Sequence, residues 1–228
     1  MRVCLPCNAR QVQAMPHTSG RAKWTRGVLY ASAGLAALTG LLNAWLLLNL
    51  EGGTTPSMED AQTFDSTNAL LATLTLLVMV TTVVSYLRWL HLSVKTARAL
   101  GVFSETPGSA MWAWFIPFYN LVRPYEIVRD LWLNLGGAPA QKSLLKGWWA
   151  AWLISNGVSN VSGSMLSKVA TTPSLLPMAL IGGLAAELLS VLAAVLCIRV
   201  IADIESMLAG RRADLSALIA RTDSATHA

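Results

Sequence analysis

The chain has 228 residues, of which 54% are hydrophobic and 13% are charged, and its formal net charge is +5. Soluble domains average about 25% charged residues, so this composition excludes an ordinary water-soluble domain and indicates a chain partly solvated by lipid. The positive charge does not indicate a nucleic-acid partner, because the Lys and Arg residues flank apolar runs, where such residues orient membrane proteins.

The first half of the chain contains two predicted membrane spans. Residues 1–27 are polar and basic, which predicts a poorly ordered cytoplasmic segment. Residues 28–50 carry no charge, and at about 1.5 Å per residue they can cross a hydrocarbon core of about 30 Å. A signal peptide is the alternative, but the run is too long for one and no small-residue cleavage site ends it. Residues 51–67 predict a loop, and residues 68–90 predict the second span.

The second half contains two more predicted spans. Residues 144–163 form the third, with Asn and Ser interrupting the apolar pattern, and residues 178–201 form the fourth. Residues 202–228 predict a cytoplasmic tail that is partly helical. The predicted fold is therefore all-α. It is a membrane domain at residues 28–201 with four transmembrane helices, and an interfacial amphipathic helix lies between spans two and three.

The distribution of basic residues predicts the orientation. Sixteen of the seventeen Lys and Arg residues lie within residues 1–27, 88–147 and 199–228, and only Lys168 lies on the opposite side of the predicted spans. Because basic segments stay in the cytoplasm, we predict a multi-pass protein of the bacterial inner (plasma) membrane with both termini cytoplasmic.

Residues 111–135, between spans two and three, are rich in aromatic side chains. Pro117 and Pro124 each remove a backbone hydrogen bond, so the first part of this segment is too broken to span. From Leu121 onward, apolar and charged residues occupy opposite helical faces, a pattern typical of helices that lie in the membrane interface. A re-entrant element or binding lip is the alternative. The residues predicted to contact lipid or a partner are Trp112, Trp114, Phe118, Asn120, Arg123, Pro124, Arg129 and Trp132.

Several short motifs resemble one family. WFIPFYNLVRP at residues 114–124 and RDLW at residues 129–132 resemble the central signature of a bacterial membrane-protein family catalogued as domain of unknown function 4328. YLRWLH at residues 86–91 and WWAAW at residues 148–152 resemble the exit of its second span and the entry of its third. The resemblance covers roughly residues 65–205 and implies a multi-span bacterial membrane protein whose activity is not established.

Cys4 and Cys7 are the weak candidates for a metal site. Some members of the family that the chain resembles carry a zinc ribbon before the first span. Structural zinc needs four ligands, and His17 is the only further candidate ligand nearby. The sequence therefore favours a metal-free remnant, with a zinc site shared by two chains as the alternative. No other cofactor is predicted.

Glu187 is the most unusual residue of the predicted spans, because it lies near the middle of the fourth. A charge at that depth costs about 2.5–3.5 kcal/mol on insertion scales, so such residues usually face the bundle and have partners. The site is either a proton or ion path or a structural hydrogen bond between helices. The predicted intramembrane polar cluster consists of Glu187, Asn156, Asn160, Asn43 and Thr81.

These observations favour a protein without enzymatic activity that works by association, as a regulatory or scaffold component of an envelope assembly. The expected partners are the lipid bilayer and either a second copy or another membrane protein. A small transporter or channel that uses Glu187 and the polar third span is the alternative. A membrane enzyme that binds lipid headgroups through Arg123 and Arg129 is a third hypothesis.

Overall fold

The computed structural model describes residues 12–51 and 58–226, and every regular element in those ranges is helical. After a helical turn at residues 12–14 come six longer α-helices: α1 (Ser19–Glu51), α2 (Met58–Ala99), α3 (Pro107–Trp112), α4 (Arg123–Asn134), α5 (Lys142–Leu166) and α6 (Leu176–Thr226). Short 3-10 helices at Tyr119–Leu121, Pro139–Gln141 and Pro173–Leu175 precede α4, α5 and α6. The prediction of an all-α fold is confirmed.

Three helical segments are long and apolar enough to cross a membrane. They are Ser19–Asn49 in α1, Ser66–Ala99 in α2 and Pro173–Arg221, which includes most of α6. The membrane-helix character predicted from the sequence is supported by their lengths and compositions. Among the described helices, α5 covers the predicted third span but does not reach this hydropathy, because Asn, Ser and Gly interrupt its apolar residues.

The chain divides into two compact units. Unit 1 consists of Met1–Arg26, Val84–Leu145 and Arg199–Ala228, and unit 2 consists of Gly27–Val83 and Lys146–Ile198. By sequence, unit 1 holds fifteen of the seventeen Lys and Arg residues. The boundaries between the units fall inside helices, so α1, α2, α5 and α6 each contribute residues to both units.

The two units bury their apolar residues to different extents. The largest fully buried side chains of the described residues all lie in unit 1: Trp89, Leu90, Val94, Ile127, Val128, Leu131, Trp132, Leu145, Val200, Ile201, Ile204 and Leu208. In unit 2, by contrast, Leu71 is the only buried residue of α2 between residues 66 and 83. Unit 1 is therefore packed like a domain in water, whereas the apolar surface of unit 2 suits an apolar solvent.

The helices extend beyond the predicted spans. α1 begins at Ser19, and Thr18, Ala22 and Thr25 are buried, so residues 12–27 differ from the poorly ordered segment that we predicted. α2 begins at Met58 inside the predicted loop, where no Gly or Pro interrupts the sequence up to the span.

The tail after the fourth predicted span also differs from the prediction. α6 runs without a break to Thr226, so the tail is helical for nearly its whole length rather than in part. No Pro interrupts the helix after its first turn, which makes its continuation from the apolar run physically reasonable.

The amphipathic helix α4 is present, but the protein itself covers its apolar face. Pro124, Ile127, Val128, Leu131 and Trp132 are all buried, and the Trp132 side chain has 0% exposure. Other residues of the protein therefore cover the helix face that we predicted to lie against lipid. The helix ends at Asn134, and Gly136 just beyond it has a φ of +107°, which suits a residue without a Cβ.

Candidate functional site

The site begins with a loop between α2 and α4, which we call the aromatic loop and define as residues 106–122. α2 ends in a Schellman-type cap, in which Gly101 (φ +74°) donates to the Arg98 carbonyl and Val102 donates to the Ala97 carbonyl. After this stop, Thr106 starts the short helix α3 by accepting a hydrogen bond from the Ser109 amide at 3.1 Å. Local capping chemistry therefore fixes where the loop begins.

Ion pairs close the base of the aromatic loop. The Arg123 guanidinium contacts Glu105 through Nη2 and donates to Glu126 Oε2 at 3.1 Å through Nη1. The hydrogen bond to Glu126 raises the pKa of Arg123, partial burial opposes this, and the charge of Glu105 adds to the rise. Arg123 thus joins the residues before and after the loop. We call this group the clasp.

The inner side of the aromatic loop packs on α2. The ring of Trp114 meets the ring of Tyr86 edge-on with centroids 5.2 Å apart, and Met111 Sδ lies 3.2 Å from His91 Nδ1. Ala110 and Ala113, on the same side, are fully buried. The loop therefore has one packed side and a fixed orientation.

The outer side of the aromatic loop is exposed. Phe118 is 86% exposed and Trp112 is 67% exposed. The exposed large apolar residues of the loop are Trp112, Phe115, Ile116, Phe118, Tyr119, Leu121 and Val122. Only three other such residues are described in unit 1 (Trp24, Val84 and Leu218), so the loop is the unit's main apolar surface.

Phe118 also has an unusual backbone conformation. Its φ is +62°, and it is the only non-glycine residue with positive φ in the described part of the chain. For a bulky side chain such a conformation costs on the order of 1–3 kcal/mol and is kept only where the surroundings enforce it. The backbone at Phe118 is therefore a strained point of the loop, and its side chain is exposed.

The predicted contact residues divide into three groups. Trp112 and Phe118 are exposed, and Trp114 and Asn120 are partly exposed. Arg123 and Arg129 are bound within the protein, since Arg129 Nε donates to Asp130 Oδ1 at 2.8 Å and its guanidinium lies over the Tyr125 ring. Pro124 and Trp132 are buried, so we correct their assignment as lipid or partner contacts, because they form part of the core.

The predicted polar cluster is only partly assembled. Within unit 2, a Cβ placed on Gly40 would lie 3.4 Å from Glu187 Cβ, and a Cβ placed on Gly183 would lie 3.1 Å from Asn43 Nδ2. Glu187 and Asn43 therefore occupy one close contact between α1 and α6, with glycines that let the two helices approach.

The other predicted members do not join this pair. Asn156 and Asn160 are exposed and donate to the carbonyls of Trp152 and Asn156 in their own helix at 2.7 and 2.8 Å. Thr81 is also exposed and donates to the Leu77 carbonyl. Each of these three side chains donates to a backbone carbonyl one turn earlier in its own helix.

Sequence reasoning missed a polar group in the core of unit 1, which we call the Glu205 clamp. Glu205 Oε2 accepts from Thr18 Oγ1 at 2.7 Å, and its Oε1 accepts from Trp89 Nε1 at 2.9 Å. About two turns further along α6, Arg212 donates to the carbonyls of Met15 and Pro16 and to Thr96 Oγ1.

The metal candidates Cys4 and Cys7 lie outside the described residues. Within the described residues, no group of three or more His, Cys, Asp or Glu side chains is arranged to hold a metal ion.

The described residues define an all-helical protein with three helices that are long and apolar enough to cross a membrane. Residues 53–206 match a family model described as Domain of unknown function (DUF4328), which is more than half of the chain, so the chain belongs to that family. The resemblance seen in the sequence is thereby confirmed. No curated protein and no solved structure matches the chain significantly.

Proposed function

We propose that the protein is a four-span protein of the bacterial inner membrane, with both termini in the cytoplasm, and that it acts by association as a regulatory or scaffold component of an envelope assembly. The third crossing would be α5, whose 25 residues correspond to about 37 Å of helix. Its low hydropathy is offset by close packing, since a Cβ placed on Gly182 of α6 would meet Ser162 Oγ of α5 at 2.3 Å. Small residues of this kind let membrane helices pack without a hydrophobic driving force.

The orientation rests on charge. Unit 1 carries nearly all the Lys and Arg residues of the sequence, and such segments stay cytoplasmic. Unit 1 also has the buried core expected of a part in water, which agrees with its placement outside the bilayer core.

The exposed apolar side of the aromatic loop is the single observation that carries the proposal of association. Contiguous exposed apolar surface marks contact with a protein or a membrane. Here the clasp and the contacts with Tyr86 and His91 fix the loop, so this surface belongs to an ordered structure.

A native mass measurement tests the association. The full chain is extracted from its own host's membranes in a mild detergent, and we expect a discrete complex heavier than one chain. The double variant Trp112→Ser, Phe118→Ser should lose the complex, whereas Glu187→Gln should retain it. A monomer for the unmodified protein would contradict the proposal.

A small transporter is the second candidate, and the contact between α1 and α6 favours it. Glu187 and Asn43 sit beside Gly40 and Gly183 in that contact, and ionisable residues inside spans often mark ion or proton paths. This reading predicts proton or cation flux in proteoliposomes that Glu187→Gln abolishes and that the double loop variant leaves intact. That pattern would replace association as the function.

A further inference from the structure

We propose that α5 packs against the same helix of a second copy of the chain through a polar face. We call it the asparagine face and define it as Asn156, Ser159, Asn160 and Gly163. The proposal rests on the proposed function, because it takes α5 as the third crossing. The face belongs to unit 2 and is separate from the aromatic loop, and its occupant is a second copy of the chain.

The asparagine face lies on the side of α5 that the chain itself leaves uncovered. Its four residues follow one another at steps of three, one and three, which places them on one side of a helix, and all four are exposed. The packed side of α5 carries Ser155 and Ser162, which are buried. Ser162 contacts Gly182 of α6, so packing within unit 2 uses a different side of the helix.

The two asparagine amides keep hydrogen-bonding groups that the described chain does not bind. A side-chain amide has two N–H donors and one oxygen that accepts. Asn156 donates once, to the Trp152 carbonyl, and Asn160 donates once, to the Asn156 carbonyl. Within the described ranges no donor binds either side-chain oxygen. One N–H and the oxygen of each amide are therefore open to a partner.

The depth of these amides excludes lipid as a suitable neighbour. At about 1.5 Å per residue, Asn156 lies about 3 Å and Asn160 about 9 Å from the middle of α5. When α5 spans, both positions fall inside a hydrocarbon core that extends about 15 Å to either side of its centre. Acyl chains offer neither donors nor acceptors, so open polar groups at this depth require a polar neighbour.

A second copy of the chain is the neighbour that complements these amides. Because an amide both donates and accepts, two identical amides can form reciprocal hydrogen bonds. Two copies inserted in the same orientation are related by a two-fold axis along the membrane normal, which places equivalent residues opposite each other. Asn156 of one copy then meets Asn156 of the other, and an asparagine at such a contact also fixes the register of paired helices.

Gly163 supports the close approach that this contact needs. A Cβ placed on Gly163 meets nothing within 4 Å among the described residues, so packing inside the chain does not require a glycine there. A glycine within a helix lowers its stability relative to alanine. Close contact with a second helix accounts for it, because glycine lets helix backbones approach in a membrane.

A water-filled path along α5 is the competing explanation for its polar residues. Such a path would bring the polar groups of unit 2 together. Instead, Glu187 and Asn43 lie at the contact between α1 and α6, whereas the asparagine face is on the exposed side of α5. The arrangement therefore favours a helix contact over a path.

Disulfide cross-linking of the full chain in its own host's membranes tests the contact. Cys4 and Cys7 are replaced by Ser, while the buried Cys197 is kept. Ser159→Cys places a thiol on the asparagine face and leaves both asparagines intact. Val161→Cys is the matched control, because residue 161 is exposed at nearly the same depth but lies about 200° around the helix from residue 159.

On oxidation, Ser159→Cys should form a linked species of twice the chain mass, and Val161→Cys should not. Adding Asn156→Leu and Asn160→Leu to the Ser159→Cys chain should slow linking by about fivefold or more, which is the effect of one hydrogen bond between helices in model membrane peptides. Equal linking at residues 159 and 161, or linking that is indifferent to both asparagines, would overturn the proposal.

Gly163→Leu gives a second test that does not disturb the fold, because the new side chain has room within the described chain. It should abolish linking at residue 159 without lowering the amount of protein in the membrane. Gly34→Leu is the control, since Gly34 of α1 is also exposed with nothing near its Cβ position, and it should leave linking unchanged. Unchanged linking in Gly163→Leu would contradict the close contact.

The other occupants would be recognised by a water-soluble thiol reagent. If Ser159→Cys did not link and reacted readily, water would line the face; if it neither linked nor reacted, another protein would cover it. Either result overturns pairing with a second copy.

Failure of the proposed function would be seen in different measurements. If Trp112→Ser, Phe118→Ser left the native mass unchanged while the link at residue 159 formed, association through the aromatic loop would fail and the pairing would stand. If that variant released the complex and no link formed, only the pairing would fail. With both contacts present, the loop variant should leave a pair of chains. Loss of the third crossing would place reporters after Gly101 and Thr171 on the same side.

Discussion

Glu205 shows how one carboxylate can order a terminal segment. Its two oxygens bind Thr18 and Trp89, which lie 187 and 116 residues away in sequence. Both donors are buried. If the Glu205 carboxylate were removed, each donor would therefore lose its hydrogen bond without gaining one from water. A buried donor left unpaired costs about 1–3 kcal/mol.

Glu205→Ala should lower the free energy of unfolding by about 1–3 kcal/mol for each donor it leaves unpaired. It should also release the start of α1, so that trypsin cuts faster after Arg21 and Lys23. Thermal unfolding in detergent and timed proteolysis measure the two effects.

Asp214→Ala provides the control, because Asp214 is an exposed carboxylate further along α6. It should change neither the unfolding temperature nor the cleavage rate. If both variants were cut at the same rate, the clamp would not be what orders the N-terminal part of unit 1.

Helix α2 consists of two parts with different surroundings, one in each unit. Its last third contributes Trp89, Leu90 and Val94 to the core of unit 1. Its apolar part in unit 2 is almost entirely exposed within the chain, for example at Leu77, which is 60% exposed. Such a helix is stable only where its surface meets lipid or another apolar helix, since exposed apolar surface of this length in water would drive aggregation.

Leu77 and Leu218, which are similarly exposed, provide a test of whether α2 lies in a membrane. Leu77→Arg should sharply reduce the amount of protein recovered in the membrane fraction, because Arg near the middle of a span costs about 2.5–3.5 kcal/mol on insertion scales. Leu218→Arg, at a position 54% exposed in the helical tail, should leave the amount unchanged.

If α2 were surrounded by water, the two arginine variants would behave alike, since both positions are exposed within the chain. Equal recovery of Leu77→Arg and Leu218→Arg would therefore contradict membrane placement of this helix.

The sequence predicted α4 well and its environment poorly. The 3.6-residue pattern from Leu121 to Leu135 indicated an amphipathic helix, and α4 occupies Arg123–Asn134. A pattern of this kind shows that one face of the helix must be removed from water. It does not show whether lipid or protein covers that face, because the hydrophobic effect depends on the apolar area buried and not on direction. Only tertiary packing revealed that Trp132 belongs to the core and that the preceding loop is exposed instead.

At the scale of the whole molecule, charge distribution predicts topology. Reporter fusions after Ser57 and Thr171 should be active only outside the cytoplasm, and fusions after Gly101 and Gly210 only inside. The expectation follows from the near absence of Lys and Arg in the segments around Ser57 and Thr171. A cytoplasmic signal at Ser57 would overturn the orientation and, with it, the proposed location of unit 1.

The division into two units could not be predicted from the sequence. Composition indicated apolar runs and basic segments, and both were found. It did not show that three separated basic segments fold into one unit, because the contacts that join them, such as Thr18 with Glu205, are distant in sequence. The candidate site could be predicted only in part. Trp112 and Phe118 stand out by residue type, whereas the clasp depends on a contact between Glu105 and Arg123 that the sequence does not show.

The aromatic loop also has a consequence for biosynthesis. A nascent chain carries these charge-free residues before its last helix has been made, and outside a bilayer they would expose apolar side chains to other chains. Solubility should therefore depend on prompt delivery to the membrane. The exposed residues of the aromatic loop therefore make the synthesis of the protein depend on the machinery that inserts it into the membrane.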